Sequence, residues 1–392
     1  MNKLIIVAKN LFNQQDAQAQ QTLVLVNSLQ KIGFDLEIIT GFDEDENKPF
    51  DIPNAFIHTL KASYPTKKQD FTSKVTRKLY RNLSSAFHTS WTKASVNLAK
   101  TIIQKKGIKK ILTIALPMDS HLVGISLKME YPDLIWIAHF SDPWPESILP
   151  SPYSDWCIPV LNFIQKRVVQ SVINKADKLI FTCMEQKNFF EFYYDFDENK
   201  KIATIPHIAP YIYKANVNYS EHNNLILAYT GSLSRERVCE NLAKALAQLP
   251  KNSRIKIQFY GFVHQKMKDY FLQNQVDHRV EYKGWYDKEN LILATANVNF
   301  YLLIEADMDC YPFLPSKIAD YAGTGKPILA ITGADSASYR LIETYKAGLT
   351  CSHSADDILK ALNRIETEIF EGENLYNEFS EDIVSEKFLG FI

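Results

Sequence analysis

The sequence reads as an α/β protein built from two successive domains, each a parallel sheet with helices on both faces. Three observations lead there. Short apolar runs of strand length alternate with helical patterns along nearly the whole chain. The alternation breaks once, over His207–Asn224, and then restarts. The length, 392 residues, is too great for one ordinary domain and suits two of about 150–200 residues each.

The first strand is Leu4–Ala8. Asp16 can cap a helix whose apolar face holds Leu23, Val26 and Leu29 and which ends near Gly33. Leu36–Thr40, Ile111–Ala115, Leu134–His139, Lys178–Thr182 and Ile202–Ile205 follow as strands, with helical segments in most gaps. Strand–helix–strand repetition implies parallel pairing. The stretch 208–224 contains Pro210 and polar residues without periodicity, and reads as a linker. The second domain, 225–374, has strands at Leu225–Thr230, Ile255–Tyr260, Val280–Tyr282, Val298–Ile304 and Pro327–Ile331. The first domain is therefore expected over 1–207.

Composition excludes several classes. Hydrophobic residues make up 46% and charged residues 23%, ordinary for a globular chain that can bury sizeable cores. No run reaches the roughly 18–20 apolar residues of a membrane span. Met1–Ala8 reads as a strand, not as a signal peptide. The five cysteines, Cys157, Cys183, Cys239, Cys310 and Cys351, are widely spaced and form no metal-binding pattern. Reduced thiols and a cytoplasmic setting are expected. The net charge is −1, but it is unevenly spread: 61–110 holds 13 Lys/Arg and one acid, Asp70. Within it Lys67, Lys68, Lys74, Arg77, Lys78 and Arg81 interleave with Phe71, Val75, Leu79 and Tyr80. That pattern suits either a basic amphipathic helix resting on an anionic membrane surface or a solvated loop. No recognised nucleic-acid module accompanies the charge.

In open parallel sheets ligands sit beyond the carboxyl ends of the strands, so the loops there are the candidates. Tyr229-Thr230-Gly231-Ser232 is followed by Arg235 and Arg237. A glycine after a strand lets backbone N–H groups approach a phosphate, a helix start adds a favourable dipole, and arginine can hold a pyrophosphate bidentately. The same residues also suit a plain turn with solvated arginines. In Pro315-Ser316-Lys317-Ile318-Ala319-Asp320, Pro315 can open a helix that presents Ser316 and Lys317 to an anion. Asp320 lies one turn on, where its carboxylate can accept from ribose hydroxyls, unless it merely pairs with Lys317. In the first domain His139-Phe140-Ser141-Asp142-Pro143-Trp144 follows a strand. His139 and Asp142 can bind sugar hydroxyls while Trp144 or Phe140 offers a flat apolar face; such residues before proline also make ordinary turns. His207 and Glu185 are further candidates for the cleft between the domains, each with a structural alternative. Asp307-Met308-Asp309 spells a D-x-D pattern, but with Glu305 it reads as a solvated acidic loop and not as a metal site.

Together these stretches resemble the retaining GT-B glycosyltransferases, in particular the family 4 sugar-nucleotide enzymes. Ser141–Trp144, Tyr229–Ser232 and Pro315-Ser316-Lys317-x-x-Asp320-Tyr321-x-x-x-Gly325-Lys326-Pro327 carry the likeness, in the same order along the chain. The resemblance implies two Rossmann-like domains facing a cleft, the acceptor on the first and the nucleotide on the second. It implies that a terminal helix, about 375–392, returns to the first domain. Arg235 or Arg237 with Lys317 would neutralise a donor diphosphate, with Gly231, Ser232, Pro315 and Ser316 around it. Asp320 would replace the glutamate that holds the ribose. His139 and Asp142 would lie near the transferred sugar, with Trp144, Glu185 and His207 on the acceptor side.

The implied activity is metal-independent, retaining transfer of a hexosyl or N-acetylhexosaminyl group. The donor is a nucleotide-sugar, UDP- or GDP-linked, and no resident cofactor is needed. The acceptor is a saccharide or lipid-linked molecule in cell-surface polysaccharide or glycolipid synthesis, met at the inner face of the membrane. Three departures stand out. Pro312 occupies the place of the first acid of the family's E-x7-E pattern, Asn13-Gln14-Gln15-Asp16 replaces a glycine-rich loop, and an Arg–Arg pair replaces Arg and Lys. A sugar-nucleotide epimerase of the same architecture and a non-catalytic partner subunit are the rival readings.

Overall fold

A computed structural model describes residues 2–12, 16–42, 52, 55–62, 71–154, 158–209 and 224–392. The chain divides into two compact units: 1–149, 154–208 and 384–392 form the first, and 150–153 with 209–383 form the second. The contacts of 150–153 thus separate them from the first 207 residues, which the sequence pattern assigned whole to one domain. Of the terminal stretch, 375–383 stays with the second unit. Most of the expected linker, 210–223, lies outside the described residues, as do Asn13–Gln15, Lys67, Lys68 and Cys157.

In the first unit the elements run β1 (Asn2–Val7), α1 (Ala17–Lys31), β2 (Phe34–Phe42), β3 (Ala55–Lys61), α2 (Phe71–Ser84), α3 (Ser90–Lys106) and β4 (Lys110–Ala115). Then come α4 (Asp119–Glu130), β5 (Ile135–Phe140), α5 (Pro159–Lys175), β6 (Lys178–Phe181), α6 (Met184–Tyr193) and β7 (Lys201–Thr204). The sheet order is β3-β2-β1-β4-β5-β6-β7, with every described pairing parallel. The strands are apolar on both faces because helices cover both. Asp16 caps α1 as its sequence position suggested, accepting from the Gln18 N–H at 2.9 Å.

One face buries Leu4, Ile6, Leu112, Ile114 and Ile137 under Leu25, Val26 and Leu29 of α1. Val384 and Phe388 of the last helix join that cluster, and Ser385 hydrogen-bonds Ser28. The opposite face meets α3 and α4, and α5 packs on α4. Here a buried polar chain is tied into the core: Trp136 Nε1 donates to Thr113 Oγ1 (2.8 Å), and Thr113 pairs with His121 Nδ1 (2.7 Å). The indole can only donate, so Thr113 Oγ1 accepts from it and keeps a second lone pair and its own hydrogen for His121. Burial, and then the neighbouring His139, lowers the His121 pKa to about 3.

The second unit contains β8 (Leu225–Thr230), α7 (Glu240–Gln248), β9 (Ile255–Tyr260), α8 (Gln265–Gln273), β10 (Val280–Gly284), α9 (Lys288–Ala294) and β11 (Phe300–Ile304). It continues with α10 (Ser316–Ala322), β12 (Ile328–Ile331), α11 (Ala337–Tyr345), β13 (Gly348–Cys351), α12 (Ala355–Thr367) and α13 (Tyr376–Phe379). The last helix, α14 (Glu381–Phe391), is the one whose residues from 384 onward contact the first unit. The parallel order is β10-β9-β8-β11-β12-β13. Leu227, Tyr229, Ile257, Phe259, Leu302 and Ile304 bury one face against α7, α8 and α12. The edge strands β3 and β13 were missed in the sequence reading, being short or only partly buried.

Two outcomes follow for the first unit. A Cβ at Gly124 of α4 would sit 2.2 Å from the Trp136 ring, so Gly124→Ala is expected to cost about 1–3 kcal/mol in chemical denaturation. His121 takes up a proton near 6.5 when unfolded but only near 3 when folded. Its contribution to stability is therefore complete above about pH 6.5 and is lost as the pH falls toward 3. Acid unfolding followed by circular dichroism should show that limb shallower in His121→Gln.

Candidate functional site

In the second unit the loop after β8 is held against the loop after β9 by backbone alone. Gly231 N–H donates to Tyr260 O (2.7 Å), Leu233 N–H to Phe262 O (2.7 Å) and His264 N–H to Leu233 O (3.0 Å). The approach is so close that a Cβ on Gly261 would lie 2.4 Å from Gly231 O. Both glycines have positive φ, 79° and 129°, which side-chain-bearing residues rarely adopt. Tyr229 is fully buried and its hydroxyl donates to Ser232 O (2.9 Å). From the neighbouring α10, Tyr321 stacks on Tyr301 (4.2 Å between rings, 17°), and its hydroxyl accepts from Thr230 N–H at 3.1 Å. The base of the loop is thereby fixed on all sides.

This scaffold brings Gly231, Arg237 and Lys317 together. The Lys317 ammonium sits 3.4 Å from where a Cβ on Gly231 would be, and 5.3 Å from the Tyr229 ring. Arg237 Nε donates to the Tyr153 hydroxyl (3.0 Å), which also packs edge-on against Phe313. Neither cation has a carboxylate within ion-pair distance among the described residues. Burial, and then Arg237, lowers the Lys317 pKa to about 7, against a smaller upward pull from Asp320. Burial opposes the charge on Arg237 too, but the adjacent Tyr229 and Tyr153 outweigh it and the guanidinium stays protonated. Arg235 and Ser232 are exposed, so the two arginines are not equivalent. Pro315 precedes the first residue of α10, Ser316, and Asp320 lies half-buried one turn beyond.

Three expectations for this unit change. The helix expected directly after the glycine loop does not start there: Arg235–Arg237 form a single 3-10 turn, and α7 begins only at Glu240. Glu305 is not part of a solvated loop. It ends on the buried side of β11, 4% exposed, with Oε1 lacking a hydrogen-bond partner. Burial pushes its pKa up to about 7, only partly offset by Ser338, Arg237 and Thr332. Asp307 and Asp309 are exposed, and no group of three metal-ligating side chains occurs among the described residues. Lys326, quoted above within the glycine–lysine–proline end of the motif, faces no ligand. Its buried ammonium donates to Thr295 O (3.1 Å), Ala296 O (2.5 Å) and Val298 O (2.7 Å), closing the carboxyl end of α9.

In the first unit His139 and His207 line one small pocket with Ser141, Gln18, Gln21, Thr22 and Phe388. His139 is 8% exposed and neither ring nitrogen has a hydrogen-bond partner; Gln21 Oε1 also lacks one. Burial, then His207, lowers the His139 pKa to about 3, so the imidazole is neutral at physiological pH. It can donate from one nitrogen and accept at the other, but it is not a store of protons. Asp142 is half-buried and does not line this pocket. Glu185 sits in the first turn of α6, likewise outside it.

Trp144 and Phe140 offer no flat face to a sugar. Trp144 is 2% exposed, with its carbonyl accepting from Tyr194 Oη (3.0 Å). Phe140 is enclosed by Phe181, Phe190 and His121. The apolar runs around them demanded aromatic filling more than the turn could spare a platform. Gln21 was missed because on a helix face a glutamine reads as solvated; only the folded position shows it buried.

No family model matches the chain, and no curated protein matches it. Solved structures match over its whole length. Sucrose-phosphate synthase from Thermosynechococcus elongatus aligns with a TM-score of 0.67 at 16% identity, covering 100% of this chain and 95% of that one. Anabaena HepE in complex with UDP and glucose aligns at 0.65 and 12% identity, covering 100% and 99%. A glycosyltransferase from Rickettsia africae aligns at 0.64 and 14% identity, covering 99% and 97%. The chain has the GT-B fold: two units, each a parallel sheet with helices on both faces.

Proposed function

We propose that the chain is a glycosyltransferase that moves a hexosyl or N-acetylhexosaminyl group from a UDP- or GDP-linked donor to a saccharide or lipid-linked acceptor. The observation that carries this reading is the pair of cations at Lys317 and Arg237, held by a rigid glycine loop without a protein anion between them. Two like charges kept partly out of water are costly unless an anion completes them, and a diphosphate fits both the charge and the exposed backbone of the loop. As the bond to the sugar breaks, charge grows on the departing diphosphate, and fixed cations stabilise it without a metal. Asp320 is assigned to the ribose, and Ser232, Pro315 and Ser316 to the rim of the phosphate site. The UDP-bound HepE structure is a precedent for nucleotide binding on this fold.

We assign the first-unit pocket to hydroxyl recognition on the sugar side. His139 supplies one donor and one acceptor there, and Gln21 a further acceptor. His207 lines the same pocket. Transfer with retention, in cell-surface polysaccharide or glycolipid synthesis at the cytoplasmic side of the membrane, completes the reading.

The decisive measurement is calorimetry with UDP and GDP. Lys317, with a pKa near 7, is about nine-tenths neutral at pH 8; a diphosphate raises its pKa, so binding takes up close to one proton. Heats in buffers of different ionisation enthalpy report that proton. Affinity should fall as pH rises above 7, and Lys317→Met should lose both the uptake and about tenfold or more in affinity. Binding of neither nucleotide at millimolar concentration would sink the enzyme reading. Activity with a competent donor and acceptor is expected to survive excess chelator; loss that Mg²⁺ restores rejects the metal-free step, and epimer formation without acceptor reassigns the enzyme.

A further inference from the structure

We infer that the first unit carries a docking face for an anionic lipid bilayer, formed by the outward stripes of α2 and α5. The face is separate from the donor site and stands or falls independently of it. Its first support is charge. The sequences of α2, α3 and α5 contain Lys74, Arg77, Lys78 and Arg81; Lys93, Lys100, Lys105 and Lys106; and Lys166, Arg167 and Lys175, with no Asp or Glu in any of them. The helix between α3 and α5 does not cancel this. Of the acids of α4, Asp119 is buried against Lys9 and Glu130 pairs with Lys100.

The second support is apolar exposure on that same basic side. On α5, Val160 (67% exposed), Phe163 (57%) and Arg167 follow one another at i, i+3 and i+7, a single helical stripe. The Arg167 guanidinium lies 4.7 Å from the Phe163 ring. A ring that can enter the acyl boundary, with its cation at phosphate level, is what an interfacial helix needs. On α2, Leu79 and Leu83 are exposed at i and i+4, and Phe87 continues the row through its N–H bond to Leu83 O (2.9 Å). The two helices are side by side: the buried Gln165 amide of α5 donates to Asn82 O (3.1 Å) and Ser85 Oγ (2.9 Å). Arg81 is paired with Glu146 (2.7 Å), but large apolar side chains standing out beside three helices that themselves carry no acid suit a bilayer better than a polyanion in water, which rewards charge alone.

The test is co-sedimentation of the full chain with phosphatidylglycerol-containing vesicles and with neutral phosphatidylcholine vesicles. Binding to the anionic vesicles, weakened by salt, is expected. Val160→Ser with Phe163→Ser should lower partitioning about tenfold or more. Lys166→Gln with Arg167→Gln should lower it about fivefold per charge. Leu272→Ser, at an exposed site on α8 of the second unit, should change nothing. Thermal melts and UDP or GDP affinity should match the parent in every variant, so lost vesicle binding is not lost folding and does not bear on the donor site. Equal pelleting with both vesicle types, or full binding by the Val160/Phe163 variant, overturns the inference. So does displacement by single-stranded DNA that the Val160/Phe163 variant resists equally, which would make the face a general polyanion site.

Discussion

The site in the second unit depends on one close approach of backbone to backbone, where Gly261 meets Gly231 with no room for a side chain on Gly261. That contact zips the turn after β8 to the turn after β9 through three N–H···O bonds. It sets the direction in which the chain leaves Gly231 and so where Arg237 ends. Tyr321, wedged between Tyr301 and the Thr230 amide, does the same for α10 and hence for Lys317. Two cations on different elements come near enough to repel one another because both elements are pinned to the same strand end. Steric necessity at a pair of glycines thus becomes electrostatic preorganisation a few residues away.

The first unit solves a different problem. Its pocket collects neutral polar groups, with a histidine held uncharged by burial and a glutamine oxygen left unanswered. Unsatisfied polar atoms in a buried wall lower stability. The two units therefore differ in what they present: two cationic side chains in one, and neutral polar groups in the other.

Much of the fold was legible in the sequence. Period and run length located most strands, because strands buried on both faces leave apolar runs that composition alone reveals. The glycine at 231 and the proline at 315 also marked their loops correctly, since each answers a local backbone demand. Burial of polar residues was not legible. Glu305 reads like its acidic neighbours until β11 carries it inside, and Gln21 reads like any surface glutamine. The roles of aromatic residues were misread in the same way: Trp144 and Phe140 look available beside a turn, yet the surrounding Phe181, Phe190 and Tyr194 claim them for the interior. What a linear pattern omits is which side of an element faces protein, and the site is decided at those positions.

Lys326 illustrates what a sequence signature measures. Its ammonium is spent on three carbonyl oxygens at the end of a helix, far removed in purpose from any reacting atom. The most recognisable stretch of the chain therefore mixes residues proposed for a ligand with one that braces a corner. A descendant that had lost all chemistry would still be obliged to keep the brace. Searches weighted on that lysine would retrieve shape and say nothing of Arg237 and Lys317.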